Sequence, residues 1–357
     1  MTTEYATCPE YGKGVRSGAA RVGVIGVALG FGLGCSNRPG DEELERLRRE
    51  ATAANDAARS AAQVAAPSSS EPGHTLTVSG QISKPSATLT WLDLQRLGQT
   101  HVETLNIQNP DKKTPTAFRG LLVRDVLDQF GAAPDATEAT FVAIDGFRAT
   151  VQIADARTFR MLLSIEADGA PIPRSSGGPI FLVHPISENG PELLARYPDR
   201  FWSFYVTHVV VGTEQPRLII KSRMRGTHVL GAAELAKLPR DTLDVAVSWK
   251  VEWPSEAVHL RGIKLVDALT SVGVTLDPDD EIIIRGKAPI HRDPAKPIKV
   301  PVSELGRCHP LLAMQAGPEE KPITARQGGP IALALPCGDK YKDSWVTFVE
   351  EIEVIER

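Results

Sequence analysis

The sequence predicts an α+β fold of two tandem β-rich domains, which follow an N-terminal signal or anchor and a helical stalk. Two similar stretches, SGGPIFLVHP (Ser176–Pro185) and QGGPIALALP (Gln327–Pro336), lie in different halves of the chain. The landmarks around them recur in the same order. Twenty-seven prolines and 30 glycines favour many short strands and turns. The predicted boundaries are 1–35 for the anchor, 36–74 for the stalk and linker, 75–215 for the first domain and 216–357 for the second.

The composition is that of an ordinary globular protein. The chain has 357 residues, of which 42% are hydrophobic and 24% are charged, and its formal net charge is -4. This length leaves room for two domains. Because the balance is slightly acidic and no basic stripe interleaves with aromatic residues, nucleic acid is excluded as an expected partner.

The amino terminus is typical of an export signal. The uncharged run Val22–Gly34 follows several basic residues and is shorter than the roughly 20 residues of a membrane span. Cys35 stands where bacterial lipoproteins carry their lipidated cysteine, but Gly32 stands where that motif prefers leucine. A lipid anchor at Cys35, an uncleaved short anchor and ordinary cleavage therefore all remain open. We expect attachment to a membrane on the periplasmic side of the bacterial envelope.

A helical stalk is predicted after this segment. Leucine and then alanine residues recur at alternating spacings of three and four between Leu44 and Ala65, which favours a spacer helix over a self-associating one. The segment Pro67–Gly73 is typical of a flexible linker. No twin arginine precedes the apolar run, so export of a folded, cofactor-loaded protein is not indicated.

The first domain is predicted to begin with a strand, TLTVSG, and a short helix, TWLDLQRL, capped by Thr90. The stretch RLIIKSRMRGTHVLGAAELAKL predicts the same order in the second domain. The stretches FRGLLVRDVLDQFG (Phe118–Gly131) and LRGIKLVDALTSVG (Leu260–Gly273) each predict a helix that starts at the Arg-Gly pair and ends in a left-handed glycine. A strand follows each helix, a strand follows each GGPI loop, and another follows Trp202 and Trp345.

These landmarks resemble the molybdopterin-binding domain of the sulfite oxidase family. In the first domain the resemblance rests on VSGQISKPSATLTWLDLQRL, FRGLLVRDVLDQFG, FVAIDGF, GGPIFLVHP and FWSFYVTHVVV. In the second it is looser, because RGKA (Arg285–Ala288) replaces DGF (Asp145–Phe147). The resemblance implies two degenerate copies of this fold, and it supports the fold better than the activity.

The resemblance also implies a molybdenum ion held by the pterin and by one cysteine thiolate. That cysteine would lie between the first helix and the Arg-Gly motif. The corresponding segments, His101–Ala117 and Asp241–Val258, contain no cysteine. No metal ligand or catalytic residue is therefore carried over. We expect no cofactor, although binding of molybdopterin without the metal–thiolate bond remains open.

Three residues are the remaining candidates for cofactor or anion binding. Arg174 and Arg326 precede the two GGP loops, and Asp145 would lie at the mouth of the family's cofactor pocket, although an Asp-Gly turn also explains it. Arg119 and Arg261, at the expected helix starts, are predicted to hydrogen-bond to neighbouring loops.

The remaining cysteines and histidines are interpreted structurally. Cys308 and Cys337, at loop-like positions, are the only cysteines of the two domains and are predicted to form a disulfide worth about 3 kcal/mol in an oxidising compartment. His184 and His208 are interpreted as loop or edge residues, and no metal site is expected.

The sequence therefore favours an exported, membrane-tethered protein that acts as a non-catalytic binding or scaffold subunit, a pseudoenzyme, in an envelope redox or transport complex. It would have a protein partner in the envelope. The alternative is a molybdopterin-dependent oxidoreductase with atypical metal ligation.

Overall fold

The computed structural model describes residues 74–108, 114–198, 202–249, 253–287, 298–338 and 344–357. The predicted signal or anchor with Cys35, the stalk helix and the linker up to Gly73 lie outside these residues. Four five-stranded sheets fill the described part of the chain, two in each half. No helix within the described ranges is long and apolar enough to cross a membrane.

The first half alternates short strands with short helices. Its strands are β1 (Thr75–Gly80), β2 (Ala87–Thr90), β3 (Thr100–Leu105), β4 (Pro115–Leu122), β5 (Glu138–Ala143), β6 (Arg148–Gln152), β7 (Leu162–Ala167), β8 (Ala170–Pro171), β9 (Phe181–Val183) and β10 (Val206–Val211). Its helices are α1 (Trp91–Arg96), α2 (Val123–Phe130), α3 (Ile153–Thr158) and α4 (Ile186–Arg196), with a 3₁₀ turn at Arg174–Ser176.

The second half follows the same plan. Its strands are β11 (Leu218–Ser222), β12 (Gly226–Leu230), β13 (Asp241–Ala246), β14 (Ala257–Lys264), β15 (Glu281–Gly286), β16 (Ile298–Pro301), β17 (Leu311–Ala316), β18 (Lys321–Pro322), β19 (Ala332–Ala334) and β20 (Val349–Ile355). Its helices are α5 (Ala232–Ala236), α6 (Leu265–Ser271) and α7 (Val302–Cys308), with a 3₁₀ turn at Ala325–Gln327.

The two halves have the same strand order. The first sheet of each half runs β2-β1-β10-β5-β6 or β12-β11-β20-β15-β16, and its first and last strands in the chain, β1 with β10 and β11 with β20, pair in parallel. The second sheet runs β3-β4-β7-β8 with β9 beside β7, or β13-β14-β17-β18 with β19 beside β17. A register irregularity lies at the Arg-Gly pair in both β4 and β14.

Each half packs its own hydrophobic core. Alternate residues of a strand point to opposite faces of a sheet, and the apolar residues of each strand point to the face that covers the core. Leu76, Val78 and Phe141 lie in the first core, and Leu218 and Ile352 lie in the second. A third, small cluster joins the halves. In it Val142 and Val210, from the outer face of the first sheet, pack with Ala325 and Phe348.

The predicted helices at the two Arg-Gly pairs begin later than expected. Arg119 and Gly120 lie inside β4, and the helix runs only from Val123 to Phe130 before Gly131, which has a φ of 66° as predicted. These two residues adopt strand rather than helix structure because β4 pairs with both β3 and β7. The guanidinium of Arg119 therefore pairs with the Glu166 carboxylate on a neighbouring strand, and not with a loop as predicted.

Arg261 has the same environment in the second half. It lies inside β14, and its side chain pairs with Glu320 in the turn between β17 and β18, so the predicted bond to a neighbouring loop is confirmed for this arginine. The expected helix start at this pair was also wrong, because Leu265 is the first helical residue. Both arginines join adjacent chain segments of a sheet, which is a structural role.

The outer face of the sheet formed by β11, β12, β15, β16 and β20 carries ion pairs that cross its strands. Lys221 Nζ lies 2.6 Å from Glu351 Oε2, and Arg285 Nη1 lies 2.9 Å from Glu351 Oε1. Lys299 Nζ lies 2.8 Å from Glu281 Oε2. This charged face contrasts with the first sheet, whose corresponding face packs against the second half.

Candidate functional site

The site that the resemblance implies lies at the hairpin of β3 and β4. A cavity of about 190 Å³ lies between this hairpin, the turn of β7 and β8, and the 3₁₀ turn. Asn106, Thr116, Phe118, Asp168 and Ser176 are among its lining residues. Its lining includes no lysine, arginine, histidine or cysteine among the described residues.

The described residues that line this cavity do not by themselves fit a molybdopterin cofactor. A phosphorylated pterin is an anion and needs cationic side chains or several converging donors, and drug-sized ligands occupy pockets of roughly 300–1,000 Å³. The cavity is smaller than this range, its lining includes the carboxylate of Asp168, and the segment His101–Ala117 offers no thiolate. The described residues therefore provide neither the metal ligand nor the expected charge.

Tryptophan side chains pack at the corresponding place in the second half. The indole N–H of Trp253 donates a hydrogen bond of 2.8 Å to the carbonyl of Gln327, in the 3₁₀ turn that corresponds to the one with Ser176. The Trp253 ring lies 4.9 Å from that of Trp249, which in turn lies 5.1 Å from Trp345. Because Trp249 is only 4% exposed, these rings form part of the core beside the turn.

The structure places the three candidate residues in turns. The Asp145 carboxylate accepts a hydrogen bond of 3.1 Å from the N–H of Phe147, which is the Asp-Gly turn that the sequence suggested. The guanidinium of Arg174 lies 5.1 Å from the centre of the Tyr205 ring. Arg326 lies in the second 3₁₀ turn, where its carbonyl accepts a hydrogen bond of 3.1 Å from Arg148 Nε.

Arg148 is a residue that sequence reasoning missed. It is 5% exposed, and it links the turn at Gly146, whose carbonyl lies 3.2 Å from Nη1, to Arg326 in the other half. Its guanidinium also lies 6.0 Å from the centre of the Phe348 ring. No local pattern marks such a residue, because its partners lie far away in the chain.

A cleft of about 470 Å³ lies beside this contact, lined by both halves. Lys287 borders it, and its side chain is 7% exposed, with Nζ 3.2 Å from Glu214 Oε1 and 2.5 Å from Glu350 Oε1. Burial lowers the pKa of Lys287, but the two carboxylates outweigh burial and raise it above its ordinary value. The lysine is therefore charged and bound within its own ion cluster.

His208 is partly buried within a strand, which corrects its interpretation as a loop or edge residue, whereas His184 lies in the loop between β9 and α4, as predicted, but is buried there. His208 lies on β10, the central strand of its sheet. Burial and then the charge of Lys287 lower its pKa to about 4, so it is neutral at pH 7. His184 follows β9, is 0% exposed, and stacks on Tyr197 with ring centres 5.2 Å apart.

Cys308 and Cys337 form a disulfide in the structure, with Cα atoms 4.7 Å apart. Cys308 is the last residue of α7 and is 1% exposed, so its expected loop position was wrong. In the described ranges no three histidine, cysteine or acidic side chains are grouped to hold a metal ion.

Comparison with known proteins supports the family resemblance for the first half. Residues 63–188 match the model of the oxidoreductase molybdopterin binding domain. The matched residues are about a third of the chain and extend from before β1 into α4. That domain is described as molybdopterin-binding, and the match ends at residue 188, within the first half.

One solved structure is similar to this chain at low sequence identity. The sulfane dehydrogenase SoxCD from Paracoccus pantotrophus is 10% identical over 60% of this chain and 66% of that chain, with a TM-score of 0.33. This chain therefore spans slightly less than two thirds of that protein. No curated protein matches the chain.

Proposed function

We propose that the protein is a non-catalytic scaffold subunit of an envelope redox or transport complex. The observation that carries the proposal is the state of the two places where the family would hold its cofactor. In the first half this place is a small cavity, and the described residues that line it include no cationic side chain or thiolate. In the second half Trp249 and Trp253 pack there.

The second half is, in this proposal, a second and more divergent copy of the same domain. Its strand order is that of the first half, and the hydrogen bonds around the GGP loops are equivalent. The N–H of Tyr205 donates to the carbonyl of Gly177, and the N–H of Phe348 donates to that of Gly328, each at 2.6 Å. A duplicated scaffold needs the hydrogen bonds that hold its framework, and it does not need the thiolate and cationic side chains that would hold a cofactor.

Metal analysis tests the proposal. The full chain, purified from the envelope of a bacterium that makes the molybdenum cofactor, is expected to contain far less than one molybdenum atom per chain. It should also give no pterin fluorescence after oxidation. A molybdenum enzyme purified from the same host is the positive control. One molybdenum atom per chain together with pterin fluorescence would overturn the proposal in favour of an oxidoreductase with atypical ligation.

Attachment to the membrane is a separate part of the proposal, and it rests on the run Val22–Gly34 and on Cys35. The full chain is expected to sediment with membranes. A chain whose residues 1–35 are replaced by a cleavable secretory signal is expected to be soluble in the periplasm, because the apolar segment is lost. If the full chain is soluble after cell lysis, the tether is wrong. If the full chain sediments with membranes, Cys35→Ser separates a lipid anchor from an uncleaved apolar anchor, since the substitution releases only a lipoprotein.

A further inference from the structure

The edge strands β3 and β13 occupy the same place in the two halves, but only β3 is covered. Helix α4 follows β9 and lies against β3. The N–H of Leu105 donates to Ser187 Oγ at 3.0 Å, and the N–H of Ser187 donates to Thr104 Oγ1 at 3.0 Å. Val102 and Thr104, which point to the core side, are consequently 1% and 0% exposed.

The second half lacks this cover among its described residues. Strand β13 ends its sheet with β14 as its neighbour, and the described residues between β19 and Trp345 form no α-helix. Leu243 and Val245 take the places of Val102 and Thr104 and remain partly exposed. Within the described residues this aliphatic row is therefore only partly covered along the edge of the sheet.

The outward direction of the backbone groups follows from the register. Leu105 lies opposite Pro115, which has no N–H, so this pair is not hydrogen-bonded within the sheet and Leu105 turns its N–H outward to Ser187. Ala246 lies opposite Ala257 in the same position of β13. Because these directions alternate, Thr242, Asp244 and Ala246 direct their N–H and C=O groups away from β14.

A cationic side chain lies next to this edge. Arg240 precedes β13, and its Nη1 lies 3.0 Å from Met314 Sδ, a weak acceptor. Burial and the neighbouring charge of Arg261 both lower the pKa of Arg240. Arg261 has Glu320 as its partner, whereas no carboxylate of the described residues forms an ion pair with Arg240. Asp244, on β13 itself, has a partner in His259, whose Nδ1 lies 2.9 Å from Asp244 Oδ1, so Arg240 favours an incoming carboxylate at this end of the strand.

We propose that β13 accepts an extended, acidic segment of a partner protein by strand addition. Backbone groups of the segment bond to Thr242, Asp244 and Ala246, its apolar side chains pack on Leu243 and Val245, and a carboxylate pairs with Arg240. The inference rests on the proposed scaffold function and names the kind of partner that such a scaffold holds.

A fluorescein-labelled peptide that alternates valine and aspartate tests the inference by fluorescence anisotropy with the purified full chain. Saturable binding is expected, and a peptide with lysine in place of aspartate should bind much more weakly. Arg240→Gln should weaken binding about tenfold, because a charge-assisted bond is lost. Arg217→Gln, which removes an exposed arginine away from β13, is the matched control and should leave the affinity unchanged.

Ala246→Pro tests the backbone part of the inference. It removes only an outward N–H, which an edge strand tolerates, and it should abolish binding while the thermal midpoint stays within a few degrees. The inference is overturned if the folded wild type shows no saturable binding. It is also overturned if Arg240→Gln and Ala246→Pro both bind the peptide with the affinity of the wild type. If Ala246→Pro unfolds the chain, Arg240→Gln decides. A molybdenum-loaded protein that binds the peptide would overturn the scaffold function alone.

Discussion

Gly120→Val is expected to destabilise the protein by at least about 3 kcal/mol, because β4 and β7 pass too close together for a side chain at this position. A Cβ atom at Gly120 would lie 2.1 Å from the carbonyl oxygen of Leu163 and 2.6 Å from the Cα of Ser164. Both are backbone atoms, so the whole of β7 must shift. Urea unfolding followed by tryptophan fluorescence measures the change in the free energy of unfolding.

Two further glycine variants make this prediction specific. Gly262→Val should have a similar effect in the second half, where a Cβ would lie 2.0 Å from the carbonyl oxygen of Leu312. Gly98→Ala should change stability by less than about 0.5 kcal/mol, since no atom lies within 4 Å of its Cβ. Equal effects of Gly98→Ala and Gly120→Val would show that the close approach of the strands is not the cause.

Lowering the pH from 7 to about 4.5 is expected to remove roughly 2–3 kcal/mol of stability through His208 alone. Its pKa is lowered to about 4 in the folded protein, by burial and by Lys287. The unfolded chain therefore binds a proton near its ordinary pKa of about 6.5, whereas the folded protein does not. Stability is complete above the unfolded pKa and decreases as the pH falls towards the folded one.

The variant His208→Gln isolates this contribution. Its free energy of unfolding should depend less steeply on pH between 7 and 4.5 than that of the wild type, whatever its absolute stability. His228→Gln, at an exposed strand, is the control and should keep the wild-type slope. If wild type and His208→Gln have parallel pH profiles, the histidine is not held neutral at the contact between the halves.

Much of the fold could be predicted because its signals are local. The alternation in TLTVSG, the cap at Thr90 and the left-handed glycine at Gly131 each depend on a few neighbouring residues, and each lies where the sequence indicated. The helix starts at Arg119 and Arg261 were wrong because strand pairing with β7 and β17 decides there. The short stretch of sequence around each arginine does not contain the strand with which it pairs.

The candidate site could be predicted less well, because it is formed by contacts between residues that lie far apart in the chain. The missing cysteine is visible in the sequence, but the packing of Trp249 and Trp253 beside the Gln327 turn is not. Arg148 reaches Arg326 and Phe348 across the contact between the halves. Lys287 is likewise buried by Glu214 and Glu350, from two distant segments. Such contacts have no periodic signature.

The ion pairs of Lys221, Arg285 and Lys299 on the outer face of the second half's first sheet make this face costly to bury. The outer face of the first sheet packs against the second half through Val142 and Val210 and carries Arg148, which bonds to Arg326, whereas charged groups cross several strands of the other face. Taking them out of water would cost several kcal/mol per ion. This face is therefore suited to contact with water, unlike the outer face of the first sheet.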